Sequence, residues 1–200
     1  MTDLTDAKDA LRYYLQEARE ALLWKLDGLG ERELRMPRTP TGTNLLGIVK
    51  HAANVEIGYF GDTFGRPWPT PRERVSDAEV DADPQADWYA TEHESAAGIV
   101  DLYRRVWAFA DATIDALPLE ATGRVPWWPR EKSEVTLGRV LVHVLTDLAR
   151  HAGHADILRE SVDGAAGLVP GSSNLPDQDW SAYVQKLTAL AEGSERPTSG

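Results

Sequence analysis

The sequence predicts an all-α protein built as a four-helix bundle with a short additional C-terminal helix. Three observations predict it. Apolar residues recur at three- and four-residue intervals through four long segments. Pro, Gly and polar clusters separate those segments. No stretch between them carries a convincing strand pattern, which leaves helix-on-helix packing as the way to bury the apolar stripes.

The first segment runs from about Thr5 to Leu29, with Leu11, Tyr14, Leu15, Ala18, Leu22 and Leu26 on one face. Thr5 is the expected cap, and Gly28 or Gly30 the stop. Residues Met36 to Thr43 read as a loop because of their Pro and Gly content. The second helix is expected from Asn44 to about Phe64, capped by Thr43, with Leu45, Ile48, Val49, Ala52, Val55 and Tyr59 inward. Gly65 to Pro84 is rich in Pro, Arg and Asp and reads as a long surface connection, a type of loop that often contributes to a site. It allows a bundle order other than up-down-up-down.

The third helix is expected from Ala90 to Leu117, with Ile99, Leu102, Tyr103, Val106, Ala110 and Ile114 inward. Glu120 to Val135, which contains Pro126-Trp127-Trp128-Pro129, cannot be regular helix. Leu137 to Val162 forms the fourth, capped by Thr136 and ended by Asp163-Gly164. Trp180 to Ala191 has the spacing of a short fifth helix. The expected organisation is therefore a bundle over residues 1–165, a loop and short helix over 166–192, and a disordered tail over 193–200.

Two hundred residues can bury a continuous core, and seven Trp supply bulky filling. A net charge of −11 without a Lys/Arg cluster argues against a nucleic-acid partner. No segment approaches the roughly 20 apolar residues of a membrane span, and the N-terminus lacks the features of a signal peptide, so the expectation is a cytoplasmic protein with no membrane partner. There is no cysteine. Thiolate metal sites and a cysteine nucleophile are thereby excluded, and any sulfur chemistry needs a thiol from outside.

Four of the five histidines fall in the second and fourth helices. On the fourth, Asp147 and His151 stand four residues apart and can converge on one ion, with His143 a further turn back. His51, at the buried stripe of the second helix, is the natural third ligand. His143 and His154 are additional candidates. Glu56, Asp156 and Glu160 are candidates for accepting the second N–H of a ligating imidazole, against the plainer reading of each as a solvated charge. The plainer reading of the Asp147–His151 spacing is an ordinary side-chain pair. Trp127-Trp128 either roofs the pocket or pins a loop to the bundle, the second being preferred. Arg66, Arg72 and Arg74 could meet an anionic substrate, although arginines on a solvated loop usually serve solubility alone.

The string Leu148-Ala149-Arg150-His151-Ala152-Gly153-His154-Ala155-Asp156-Ile157-Leu158-Arg159-Glu160 resembles the last bundle helix of DinB-like proteins, in particular an actinobacterial-type subgroup of unknown function. Thr41-Gly42-Thr43-Asn44-Leu45-Leu46-Gly47-Ile48-Val49-Lys50-His51 with Ala52 to Glu56 resembles that subgroup's second helix, and the likeness spans Leu4 to Gly164. In that superfamily one His comes from helix two, and an acidic residue or His plus a His four residues later come from helix four. The resemblance thus implies one divalent ion (Zn, Ni or Fe) on His51, Asp147 and His151. The subgroup usually carries Glu in place of Asp147, so the shorter side chain implies a closer helix, a bridging water or a weaker site.

Some relatives transfer a low-molecular-weight thiol such as mycothiol or bacillithiol to an electrophile, or isomerise with its help. The resemblance therefore implies a metal-dependent thiol transferase acting on a small-molecule substrate. A metal-dependent hydrolase and a non-enzymatic metal-binding or dimerisation bundle are the alternatives, and a site that has lost its metal is a third. A homodimer through an apolar face is the assembly such bundles often take.

Overall fold

The apolar stripes become helices in the computed structural model, which describes residues 5–171 and 173–194. In chain order these are α1 (Ala7–Trp24), α2 (Glu31–Arg35), α3 (Leu45–Phe60), α4 (Asp77–Ala82), α5 (Ala96–Ala116), α6 (Leu137–Asp163) and α7 (Trp180–Gly193). The four long ones, α1, α3, α5 and α6, form the bundle. Most of the tail expected to be disordered, residues 195–200, lies outside the described residues.

Helix starts follow capping chemistry, with shifts from the sequence reading. Asp6, rather than Thr5, caps α1 by accepting from Lys8 N and Asp9 N. Asn44, rather than Thr43, caps α3, accepting from Gly47 N at 2.7 Å. Helix α5 begins at Ala96 behind the Ser95 cap, later than the expected Ala90. The chain from Ala90 to Glu94 is held out of the helix because Arg35 takes the carbonyls of Ala90, Thr91 and Glu94.

The ends of α6 match the sequence reading: Thr136 caps it and Gly164, at φ 78°, terminates it in the left-handed region that glycine adopts without strain. Replacing Thr136 by Ala removes the acceptor for Arg139 N and is expected to lower stability by about 1 kcal/mol, measured by denaturant unfolding.

Two short helices and a hairpin were not expected. Within the long connection, α4 is started by a Ser76–Glu79 capping box. Between α5 and α6, β1 (Thr122–Arg124) pairs antiparallel with β2 (Glu134–Thr136), with Gly123 opposite Val135. Three residues per strand are too few for an alternating pattern to register in the sequence.

Side-chain contacts fix the helix directions. Along α1, Lys8 reaches the Leu117 carbonyl, Arg12 Asp115 and Arg19 Asp111, so α1 and α5 are antiparallel. Along α3, Lys50 meets Glu94 and Glu56 meets Tyr103, so α3 and α5 are parallel. His51 faces His151 while Tyr59 faces His143, so α3 and α6 are antiparallel. The order is up-down-down-up, made feasible by the long α3–α5 connection.

Leu15, Leu22, Ile48, Ile57, Phe60, Tyr103, Val106, Ile114, Leu137 and Leu141 fill the centre without solvent exposure. Each aliphatic or Phe side chain contributes about 1.5–3 kcal/mol of burial free energy before chain entropy is subtracted. On α7, Tyr183, Val184, Leu187 and Leu190 are exposed. No helix among the described residues is long and apolar enough to cross a membrane.

Candidate metal centre

The antiparallel crossing of α3 and α6 brings His51 against Asp147 and His151. One donor atom from each lies within 4.8 Å of the other two. His151 Nε2 is 3.4 Å from Asp147 Oδ1, and His51 Nε2 is 4.0 Å from Asp147 Oδ2. The carboxylate thus turns one oxygen to each imidazole, and the shorter Asp side chain reaches both rings. First-row ions bind such donors at about 2.0–2.2 Å, which sets neighbouring donors roughly 3.0–3.6 Å apart. Small side-chain adjustments would bring these three into that range, so the residues fit a divalent ion.

Burial is graded across the cluster. His151 is buried, His51 nearly so, and the Asp147 side chain is 35% exposed. Burial acts to raise the Asp147 pKa, but the His151 hydrogen bond and the fields of His151, His51 and His143 outweigh it. Asp147 is therefore held below its ordinary value and is ionised at neutral pH, the form in which a carboxylate ligates.

His51 is supported on two sides. Its Nδ1 lies 2.7 Å from Asp87 Oδ2, and its ring stacks on Trp88 at 3.9 Å with 19° between planes. Trp88 also meets the His151 ring edge-on at 5.1 Å. The sequence reading missed both residues. They lie 36 and 37 positions after His51, in a segment without periodicity, and only the path of the long connection brings them back. The buried Nδ1 of His151 has no protein hydrogen-bond partner among the described residues.

The other candidates fall elsewhere. Glu56 does not accept from His51; it is buried against Arg19 and Tyr103. Asp156 pairs with Lys25, and Glu160 is exposed. His154 is exposed, its ring 5.5 Å from His151 and outside the three-residue cluster. His143, also exposed, packs on Tyr59 at 4.8 Å and on Trp128 at 5.3 Å.

Trp127 and Trp128 pin their loop to the bundle. Trp128 Nε1 donates to the Tyr59 hydroxyl at 3.1 Å, and Trp127 lies against Gly58, where an added Cβ would meet its ring at 2.7 Å. Two of the loop arginines are tied down: Arg66 donates to Thr113 and Arg74 to Asp62. A cleft of about 610 Å³ opens beside Trp127, lined by Asp62, Arg74, Ser76, Asp77 and two prolines.

The family model described as mycothiol-S-transferase matches residues 10–164, which contain all three donor residues and nearly the whole of the four bundle helices. The chain belongs to the mycothiol-S-transferase family. The match places it among the DinB-like metal-dependent proteins, in agreement with the resemblance read from the two helix motifs. A crystal structure of a conserved protein from Enterococcus faecalis superposes with a TM-score of 0.54 at 17% identity, covering 80% of this chain and 99% of that one. That likeness extends to the fold. No curated protein matches the chain.

Proposed function

We propose that this protein is a metal-dependent S-transferase that joins a low-molecular-weight thiol of the mycothiol type to a small electrophile. The observation that carries the reading is the convergence of His51, Asp147 and His151 on one point, inside a family match that spans the bundle. His51, Asp147 and His151 would hold one divalent ion, and two imidazoles with a carboxylate suit Zn²⁺, Ni²⁺ or Fe²⁺. When bound, such an ion supplies Lewis acidity that lowers the pKa of a coordinated thiol and keeps it as thiolate near neutral pH.

The chain's own residues fit this role. It has no cysteine, so the nucleophilic sulfur belongs to the substrate. Three protein donors leave room for a further ligand, and the partial exposure of Asp147 opens the cluster to solvent, unlike a closed structural site. His143, one helical turn before Asp147 and exposed, lies against the rings of Tyr59 and Trp128. Tyr59, Trp127 and Trp128 form an aromatic wall beside it, suited to the body of an apolar electrophile.

Protein purified without a histidine tag is expected to hold about one divalent ion per chain, the stoichiometry of a single three-donor site. His51→Ala and His151→Ala are each expected to lose that ion, as measured by elemental analysis. Loaded wild type is then expected to couple mycothiol to a halogenated nitroarene with release of halide. A rate equal to that of metal-free protein overturns the transferase reading.

A further inference from the structure

We propose that Asp87 is the positioning residue of this centre, fixing His51 as the Nδ1–H tautomer so that Nε2 faces Asp147 and His151. The inference rests on the metal-site reading above and adds the residue that orients one of its ligands. Asp87 Oδ2 lies 2.7 Å from His51 Nδ1, and the two side chains are only 19% and 15% exposed. The hydrogen bond is therefore largely shielded from competing water.

Neutral imidazole carries one N–H, and the nitrogen that carries it cannot ligate. An acceptor on Nδ1 keeps the proton there and leaves the Nε2 lone pair available. The anionic acceptor also raises the donor strength of that lone pair.

Asp87 is itself held in place because side chains of α3 and its cap anchor the carbonyls of the residues that follow it. Asn44 Nδ2 donates to the Trp88 carbonyl at 3.1 Å, and Lys50 Nζ to the Tyr89 carbonyl at 3.0 Å. The Trp88 ring then fixes the plane of His51 by stacking. No comparable protein acceptor serves His151 among the described residues, so orientation of the centre depends on the Asp87 side.

The test measures zinc affinity and the His51 tautomer in wild type, Asp87→Ala, Asp87→Asn and His51→Ala. Asp87→Ala is expected to weaken zinc binding about 10–100-fold with unchanged thermal unfolding. Asp87→Asn, whose amide oxygen still accepts from Nδ1–H, is expected to recover part of the loss. In metal-free protein, at a pH about two units above the ordinary imidazole value, nitrogen NMR is expected to show Nδ1–H in wild type and a shift toward Nε2–H in Asp87→Ala.

Equal zinc affinity in wild type and Asp87→Ala, or the same tautomer in both, overturns the inference. Wild type that takes no zinc overturns the function reading instead, and the metal-free tautomer then decides the role of Asp87 by itself.

Discussion

Glu56→Ala is expected to destabilise the protein by about 3–5 kcal/mol, the cost of leaving a buried charge without its partner. Arg19 and Glu56 are each 1% exposed and meet at 2.5 Å, with a second contact through Arg19 Nε at 3.1 Å. The Tyr103 hydroxyl donates to the same carboxylate at 3.0 Å. Burial acts to lower the Arg19 pKa, yet the field and hydrogen bonds of Glu56 outweigh it and hold the guanidinium charged. Burial, reinforced by Glu56, raises the Tyr103 pKa well above its ordinary value, so the phenol stays a donor.

Removing the carboxylate leaves Arg19 with Asp111, a side chain 34% exposed at the edge of the core. It also leaves the Tyr103 hydroxyl buried without its acceptor, a further cost of about 1–3 kcal/mol that overlaps the first. The measurement is denaturant unfolding of Glu56→Ala, Arg19→Met and the Arg19→Met/Glu56→Leu double variant. The double variant is expected to recover most of the loss, since an apolar pair of similar volume often replaces a buried ion pair at little cost. A single-variant loss below about 1 kcal/mol would show that water reaches Arg19 and screens it.

Glu56 also marks where sequence reading stops. Its position five residues after His51 turns it roughly 140° around the helix, away from the face that carries the donors. Spacing shows that separation, but it cannot show that Arg19, 37 residues earlier, waits on the other side. The legible parts are those that depend on local pattern: the extent of α6 from its Thr136 cap to Gly164, and the four-residue step from Asp147 to His151. His51 was legible as an inward histidine from local pattern, and as a candidate ligand from that pattern together with the family resemblance. Asp87 and Trp88 were not, because their contacts come from the path of an irregular connection. The shorter side chain of Asp147 can be weighed only in three dimensions, where one oxygen lies 3.4 Å from His151 Nε2 and the other 4.0 Å from His51 Nε2.

Gly47→Ala carries the same argument into the link between fold and site. A Cβ at Gly47 would lie 1.8 Å from the Trp88 carbonyl oxygen and 2.5 Å from its carbon. Both are backbone atoms, so no rotamer change relieves the clash and the segment carrying Asp87 and Trp88 must move. The expected cost is about 3 kcal/mol, the upper part of the range for overpacking, offset by up to about 1 kcal/mol from the better helix propensity of Ala. The displaced segment also withdraws Asp87 from His51, so zinc affinity is expected to fall about 10–100-fold, as for loss of the carboxylate itself. Gly153 supplies the control. It lies exposed in α6, two residues after His151, with nothing within 4 Å of an added Cβ. Gly153→Ala is therefore expected to stabilise the protein by about 1 kcal/mol through propensity alone and to leave zinc affinity unchanged. Unfolding curves and zinc titrations of the two variants should thus move in opposite directions in stability and diverge in affinity. If Gly47→Ala behaves like Gly153→Ala, the Trp88 segment yields freely and does not orient His51.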